Sequence, residues 1–360
     1  MQTKSILLMK AMTGSCLFAC IAFHPLSGQN ENKTFATKVQ PFVDNHAMTG
    51  AVVLLASKDR VLDVEPIGYA DPATGKAMQK DDLFWIASVT KPVTKAALLI
   101  LADEGKVNLD DPVEKYLPEF KGQQVLGADG TLRPPSHPFT VREAMEHKAG
   151  LPMFSKKEIA LKQLDTLPLK DAVRTYAAEP LIYDPGTKTA YSNAGMNTVG
   201  RVIEVVSGMP YEQFLSERLF KPLGMKDTTF WPEGEQLDRI AVGSRPDPKK
   251  GQVNISWGLL SYPLNDKAKR YPIPAGGLFS TAEDLAKFGQ LALNNGVCDG
   301  KRILSEKTIA EHGFSMAGMS GVQLSVDRTK GTVLVWMVQG GDTKAAYQSV
   351  LEVAKGNSIK

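Results

Sequence analysis

Ser88 and Lys91 form the only Ser-x-x-Lys spacing in the chain, within Phe84-Trp85-Ile86-Ala87-Ser88-Val89-Thr90-Lys91-Pro92. A serine hydroxyl is a weak nucleophile at neutral pH. A neighbouring amine can take its proton if burial or other cations keep that amine partly neutral. Three-residue spacing on a helical turn puts both side chains on one face. Taken alone, the same spacing also fits an ordinary helix start with an exposed lysine. The run after Pro92, Val93 to Glu104, carries apolar residues at Ala96, Ala97, Leu99, Ile100 and Leu101 and reads as a helix stopped by Gly105.

A second group is Tyr191-Ser192-Asn193, the only Tyr-x-Asn in the chain. A phenol near an ammonium group can shuttle protons, because the positive charge is expected to lower its pKa. An asparagine amide both donates and accepts, which suits holding a substrate amide or fixing a lysine. A buried tyrosine followed by a helix-capping asparagine would look the same. The five histidines, His24, His46, His137, His147 and His312, show no metal-ligand spacing. There is no Gly-x-Ser-x-Gly elbow, phosphate-cradling glycine motif or dinucleotide fingerprint. The sequence therefore calls for no metal, nucleotide or other cofactor.

Apolar content of 43% and charged content of 22% are those of a globular protein, and the formal charge of +3 gives no strong drive toward nucleic acid. At the N-terminus, Lys4 and Lys10 precede the apolar run Ser15 to Phe23, followed by Ser27-Gly28-Gln29-Asn30. This is the pattern of a secretory signal peptide over residues 1–28, too short for a membrane span. Its removal takes two lysines and no acids, leaving 3 − 2 = +1. The expected destination is secretion or the periplasm, with lipidation at Cys20 as the minor alternative. Only Cys298 then remains, so no intrachain disulfide is possible.

Gly50 to Ala56 reads as a buried strand, and Val61 to Val64 opens a second across the turn at Lys58-Asp59-Arg60. Helices follow. Asp110-Asp111-Pro112-Val113 has the form of a helix start, Thr140-Val141-Arg142-Glu143 that of a capping box, and Ser280-Thr281-Ala282-Glu283 that of a second. Further helices are expected over 170–178, 195–207 and 211–219. Strands return at Val322 to Val326 and Thr332 to Gln339, and a last helix spans about 343–354. This pattern predicts an α/β (α+β) fold. An antiparallel sheet is built from both termini, about 35–87 and 296–356, with flanking helices, and a mainly helical part, about 88–295, is inserted between them. Residues 29–360 form one domain on this reading.

Together these residues resemble the serine β-lactamase and penicillin-binding-protein superfamily, and within it the class C β-lactamase-like hydrolases and esterases. Ser88-Val89-Thr90-Lys91 matches the first motif and Tyr191-Ser192-Asn193 the second. His147-Lys148-Ala149-Gly150-Leu151-Pro152, Tyr183-Asp184-Pro185-Gly186, Pro222-Leu223-Gly224-Met225 and Ala275-Gly276-Gly277-Leu278-Phe279-Ser280-Thr281 match supporting signatures in order. The resemblance implies a β-lactamase/transpeptidase-like fold with the site between sheet and helical part. It implies that Ser88 attacks an ester, amide or β-lactam-like carbonyl and forms an acyl-enzyme. Lys91 and Tyr191 would act as base and acid, and Asn193 would hold Lys91 or a substrate amide. The Ser88 backbone N–H would be one oxyanion donor. The oligomeric state is left open.

The chain departs from the pattern at the third motif, Lys/His-x-Gly. Here Met316-Ala317-Gly318 occupies its place, with methionine where a cation or imidazole is expected. In this register Gly318 and Met319 line the site, and the Met319 N–H is the second oxyanion donor. Only about ten residues separate Ser305 from Met316, so one sheet strand is expected to be missing and the oxyanion strand displaced. Loss of the cation counts against efficient β-lactam or D-Ala-D-Ala chemistry more than against ester hydrolysis. The reading is a secreted serine hydrolase of esterase type. The alternatives are a β-lactamase or D-Ala-D-Ala carboxypeptidase, or a non-catalytic homologue that binds cell-wall peptide or a partner.

Overall fold

Seven consecutive apolar residues, Gly50–Ala56 (β1), can be buried on both sides only at the centre of a covered sheet. A computed structural model, which describes residues 34–247, 249, 251–254 and 259–356, places them there. β1 pairs antiparallel with Val61–Asp71 (β2) on one side and with Thr332–Val338 on the other. The sheet is completed by Lys76–Ala77 (β3), Met316–Ala317 (β4) and Gln323–Asp327 (β5). With Thr332–Val338 as β6, its order is β4-β5-β6-β1-β2-β3. The signal-peptide reading, Cys16 and Cys20 lie outside the described residues.

Period-two alternation divides β1 and β6 between two cores. Ala51, Val53, Leu55, Leu334, Trp336 and Val338 face the helices Phe35–Asp44 (α1) and Lys344–Gly356, through Phe35, Val39, Val43, Ala346, Val350 and Val353. Val52, Leu54, Ala56, Val333, Val335 and Met337 face the larger core on the other side. Each such buried aliphatic or aromatic side chain contributes about 1.5–3 kcal/mol through removal from water. The sequence reading assigned no helix to α1. Thr34 caps it, accepting from the Thr37 N–H, and the Glu65 carboxylate accepts from the N–H groups of Phe35 and Ala36.

The helix Thr90–Asp103 (α2) runs through the larger core, with Val93, Ala96, Ala97, Leu98, Leu99 and Leu101 almost wholly buried. Against it packs Asn193–Ser207, which buries Val199, Val202 and Ile203. Three smaller helices complete the side facing the site: Val141–Met145 (α3), Lys156–Leu161 (α4) and Leu169–Ala177 (α5). Asn193–Ser207 is then α6, Ala282–Leu293 is α7 and Lys344–Gly356 is α8.

Three expectations are corrected here. The capping box at Thr140 and Glu143 is present, but the one read at Ser280 to Glu283 is not. Thr281 caps α7 alone, accepting from the Asp284 N–H, and the Asp284 carboxylate instead accepts from the Asp227 N–H. Pro112 opens only a 3₁₀ turn, Val113–Lys115. Third, the short segment before β4 does not displace it. Between Leu304 and β4 the described residues hold one helix, Glu306–Glu311, and no strand. β4 is therefore the sheet edge, and its two residues leave little unpaired backbone there. Among the described residues no helix is long and apolar enough to cross a membrane.

Candidate active site

A two-residue ladder, Phe84–Trp85 against Phe279–Ser280, brings the 275–281 segment beside the turn that carries Ser88. Ala87–Val89 is a 3₁₀ turn leading directly into α2. Ala87 has φ of +45°, a left-handed conformation uncommon for alanine. That kink sets Ser88, half-buried, at the head of α2, where the helix N-terminus favours negative charge.

Lys91 is almost wholly buried, as one would not expect of an unpaired surface lysine. Its amine lies 3.1 Å from Ser88 Oγ and donates to the Ala275 carbonyl at 2.5 Å. It also lies 4.6 Å from the centre of the Tyr191 ring. Burial lowers its pKa from 10.5 to about 7, so the amine is substantially neutral at neutral pH. Ser88 Oγ is 2.6 Å from the Tyr191 hydroxyl. Burial raises the Tyr191 pKa, outweighing the hydrogen bond from Ser88, so the expected lowering by Lys91 does not occur. The two groups are thus driven apart: an amine that can accept a proton and a phenol that stays protonated.

His147, from the His-x-x-Gly-Leu-Pro turn after α3, packs its ring against Tyr191 with centroids 4.9 Å apart. Its Nδ1 accepts from the Ser192 N–H at 3.2 Å. Burial, with a smaller effect of Lys91, lowers its pKa to about 4, so it remains neutral at working pH. Its role is to seat Tyr191, which the motif match alone did not reveal.

The structure places Asn193 in the cavity wall but not on Lys91, whose oxygen partners are Ser88 and Ala275. Its Oδ1 is buried without a hydrogen-bond partner among the described residues. Gly318 and Met319 line the same cavity as Ser88, so the segment after β4 reaches the Ser88 turn despite the short stretch before it. A Cβ on Gly318 would stand 2.6 Å from the Ile86 carbonyl oxygen, so only glycine lets β4 approach the Ser88 turn this closely. Met316 pairs with Leu324 and packs against the core, outside the cavity lining.

The cavity holds about 480 Å³. Its walls are largely apolar, with Trp85, Phe154, Leu164, Leu259 and Ile273, and the exposed Met153 and Met319 stand at its rim. No lysine, arginine or histidine is in its lining among the described residues; the one carboxylate is Glu158. Nor, among those residues, do three or more His, Cys, Asp or Glu stand where they could hold a metal ion.

The wall formed by Leu164, Leu259 and Ile273 is tied by a buried ion pair. Arg270 Nε donates to Asp165 Oδ2 at 2.6 Å, and both side chains are nearly inaccessible. Arg270 also donates to the Phe230 and Leu264 carbonyls, while Asp165 accepts from the Ser261 N–H and hydroxyl. Removing one partner of such a pair strands a buried charge and costs about 3–5 kcal/mol. Arg270→Met is therefore expected to lower unfolding stability by that amount in urea titration. Arg270→Met/Asp165→Leu should recover most of the loss. A single-variant loss under about 1 kcal/mol would show that the pair does not hold this wall.

The model of the Beta-lactamase family matches residues 35–348. Protein Rv1367c of Mycobacterium tuberculosis is 32% identical over 280 residues, 75% of this chain and 69% of that protein. The D-alanyl-D-alanine-carboxypeptidase/endopeptidase AmpH of Escherichia coli is 27% identical over 299 residues, 81% of this chain and 70% of AmpH. Among solved structures, EstCE1, a hydrolase with promiscuous acyltransferase activity, superposes with a TM-score of 0.75 at 22% identity, covering 90% of this chain and 97% of its own. Unliganded simvastatin synthase (LovD) of Aspergillus terreus gives 0.69 at 17% identity over 90% and 96% of the two chains, and at these identities the likeness speaks to fold alone. With the fold, the ordered motifs and a family match across most of its length, the chain belongs to the beta-lactamase family of hydrolases.

Proposed function

We propose that this protein is a serine hydrolase that cleaves esters with an uncharged, apolar acyl group through an acyl-enzyme on Ser88. The observation that carries this reading is the position of Ser88 Oγ, 3.1 Å from the buried Lys91 amine and 2.6 Å from the Tyr191 hydroxyl, at one wall of an apolar cavity. Lys91 takes the Ser88 proton as Oγ bonds to the carbonyl carbon. The N–H groups of Ser88 and Met319 receive the developing oxyanion, each worth about 3 kcal/mol in the transition state. The tetrahedral intermediate then collapses: the carbonyl re-forms, the bond from carbon to the leaving oxygen breaks, and the proton passes from the Lys91 ammonium by way of Tyr191 to that oxygen, so that the alcohol departs and the acyl–Ser88 ester remains. Water, giving its proton back along the same groups, displaces the acyl chain as a carboxylic acid.

The apolar lining favours an alkyl or aryl acyl group over one bearing a carboxylate. Asn193 lines the cavity and is the residue placed to meet a substrate amide. The likeness to AmpH, a D-alanyl-D-alanine-carboxypeptidase/endopeptidase, supports a second reading, D-Ala-D-Ala carboxypeptidase chemistry. Against it stands the cavity lining, which among the described residues offers no cation to a substrate carboxylate. The N-terminal pattern supports export, to the periplasm or outside the cell, with anchoring at Cys20 as the lesser case.

The deciding experiment exposes the protein to a fluorophosphonate, a fluorescent penicillin and a series of p-nitrophenyl esters, with intact mass and peptide mapping. A fluorophosphonate adduct on the Ser88 peptide, with ester turnover and little penicillin adduct, is the expected result. Rapid penicillin acylation with poor ester turnover would replace this reading with the carboxypeptidase one. Neither adduct on folded protein would make the chain a non-catalytic homologue.

A further inference from the structure

Among the described residues no carboxylate holds Lys91. Its amine is anchored to the protein by one backbone oxygen, that of Ala275, and its distance to Ser88 therefore depends on where that carbonyl stands. The peptide preceding it is gripped at both ends. The Thr94 hydroxyl donates to the Pro274 carbonyl at 2.6 Å, and the Ala275 N–H donates to Asn197 Oδ1 at 3.0 Å. On the far side, Asn197 Nδ2 donates to the Tyr176 hydroxyl at 2.8 Å, and that hydroxyl donates to Glu158 at 2.5 Å. These partners leave the Asn197 amide one consistent orientation, since only its oxygen can accept from Ala275. Helix α6, which carries Asn197, also lies so close that a Cβ on Gly200 would stand 2.2 Å from Pro274 Cγ.

We propose that Asn197 is a positioning residue for the general base: by holding the Ala275 N–H it places the Ala275 carbonyl, and through it the Lys91 amine, within reach of Ser88 Oγ. Tyr176 supports it from outside the cavity lining, being fully buried between Asn197 and Glu158. The inference rests on the proposed role of Ser88 as nucleophile. The titratable groups around Lys91 are Tyr191 beneath its amine, the neutral His147, and Lys95 one turn along α2, and all stay in place in the variants below.

The test measures the rate of fluorophosphonate acylation per labelled site from pH 5 to 9 in the full chain, its Asn197→Leu variant and its Tyr176→Phe variant. Unlabelled protein is removed from the rate by normalising to the final extent of labelling. Misplacement of a catalytic group by about 1 Å costs on the order of 10²-fold. Asn197→Leu is expected to slow acylation per site at least about 30-fold, and Tyr176→Phe about 3- to 10-fold, because the amide keeps its grip on Ala275 but loses its own support. In both, the acid limb should move to lower pH, because a displaced carbonyl no longer stabilises the ammonium form. Unchanged rates per site and an unchanged limb, with only a lower melting temperature or a smaller labelled fraction, would overturn the proposal and leave Asn197 a structural residue. Tyr176→Phe keeps the test open should Asn197→Leu fail to fold. Absence of labelling in the parent chain would instead overturn the nucleophile reading itself.

Discussion

Ser88→Ala is expected to lower ester turnover by about 10⁴-fold or more and to abolish the covalent fluorophosphonate adduct. The size follows from the site's construction. The Lys91 amine and the Tyr191 hydroxyl both contact the Ser88 oxygen, so on the proposed mechanism removing it removes the covalent route and not one increment among several. What survives is the stabilisation that oxyanion donors and binding give to direct attack by water, which is why a finite residue of activity is expected. Folding should be little affected. Ser88 is half-buried, and its Oγ serves no backbone cap among the described residues. The melting temperature should therefore move by no more than an ordinary surface change, within about 1 kcal/mol. Intact mass after labelling, steady-state ester kinetics and thermal melting on the same preparation check all three points. Retention of a tenth of the activity in Ser88→Ala would mean that another group is the nucleophile.

The candidate site residues were readable because a Ser-x-x-Lys turn and a Tyr-x-Asn loop are local: each puts its chemistry within four residues. Strands β1 and β6 were readable because continuous apolar runs admit few alternatives, and the structure buries both faces of each. What escaped was set by partners far away in the chain. The anchor of Lys91 is a backbone oxygen at position 275, which no side-chain pattern can announce. Ala87's left-handed turn is imposed by the ladder before it and the helix after it, and alanine gives no hint of it. Helix α1 was missed because Pro41 sits inside it, and it is stabilised by docking against β1 and by Glu65 more than by its own propensity. The cavity wall at 259–276 lies in an irregular stretch with no periodicity, held by an ion pair whose members are 105 residues apart. The Tyr191 pKa was expected in the wrong direction for a related reason. Charge proximity can be guessed from motifs, whereas the burial that outweighs it is a property of the finished fold.

Lys91→Met should separate catalysis from stability in opposite directions. Loss of the general base is expected to reduce kcat/KM by on the order of 10³- to 10⁴-fold. On the proposed mechanism the reactive form is the neutral amine, so kcat/KM of the parent should rise with pH through about 7 and then level. The raised Tyr191 pKa places any alkaline fall above the usual tyrosine range. The same lowered pKa makes the lysine a liability to folding. Below pH 7 it is charged in both folded and unfolded chains, and holding the ammonium in its apolar site costs about 5 kcal/mol, the shift from 10.5 to about 7 taken at 1.36 kcal/mol per unit. Between pH 7 and 10.5 the unfolded chain binds the extra proton, so parent stability from this group rises with pH, and above 10.5 the cost is gone. Methionine fills similar volume without the charge. Lys91→Met should thus be more stable than the parent, by several kcal/mol below pH 7, with the advantage shrinking as pH rises toward 10.5. Urea unfolding at pH 6 and pH 9.5, beside ester kinetics from pH 5 to 9, reads both arms. A variant that is inactive yet less stable at pH 6 would mean that the Ala275 and Ser88 contacts outweigh the burial of charge. A variant retaining a tenth of parental activity would remove Lys91 from the role of base.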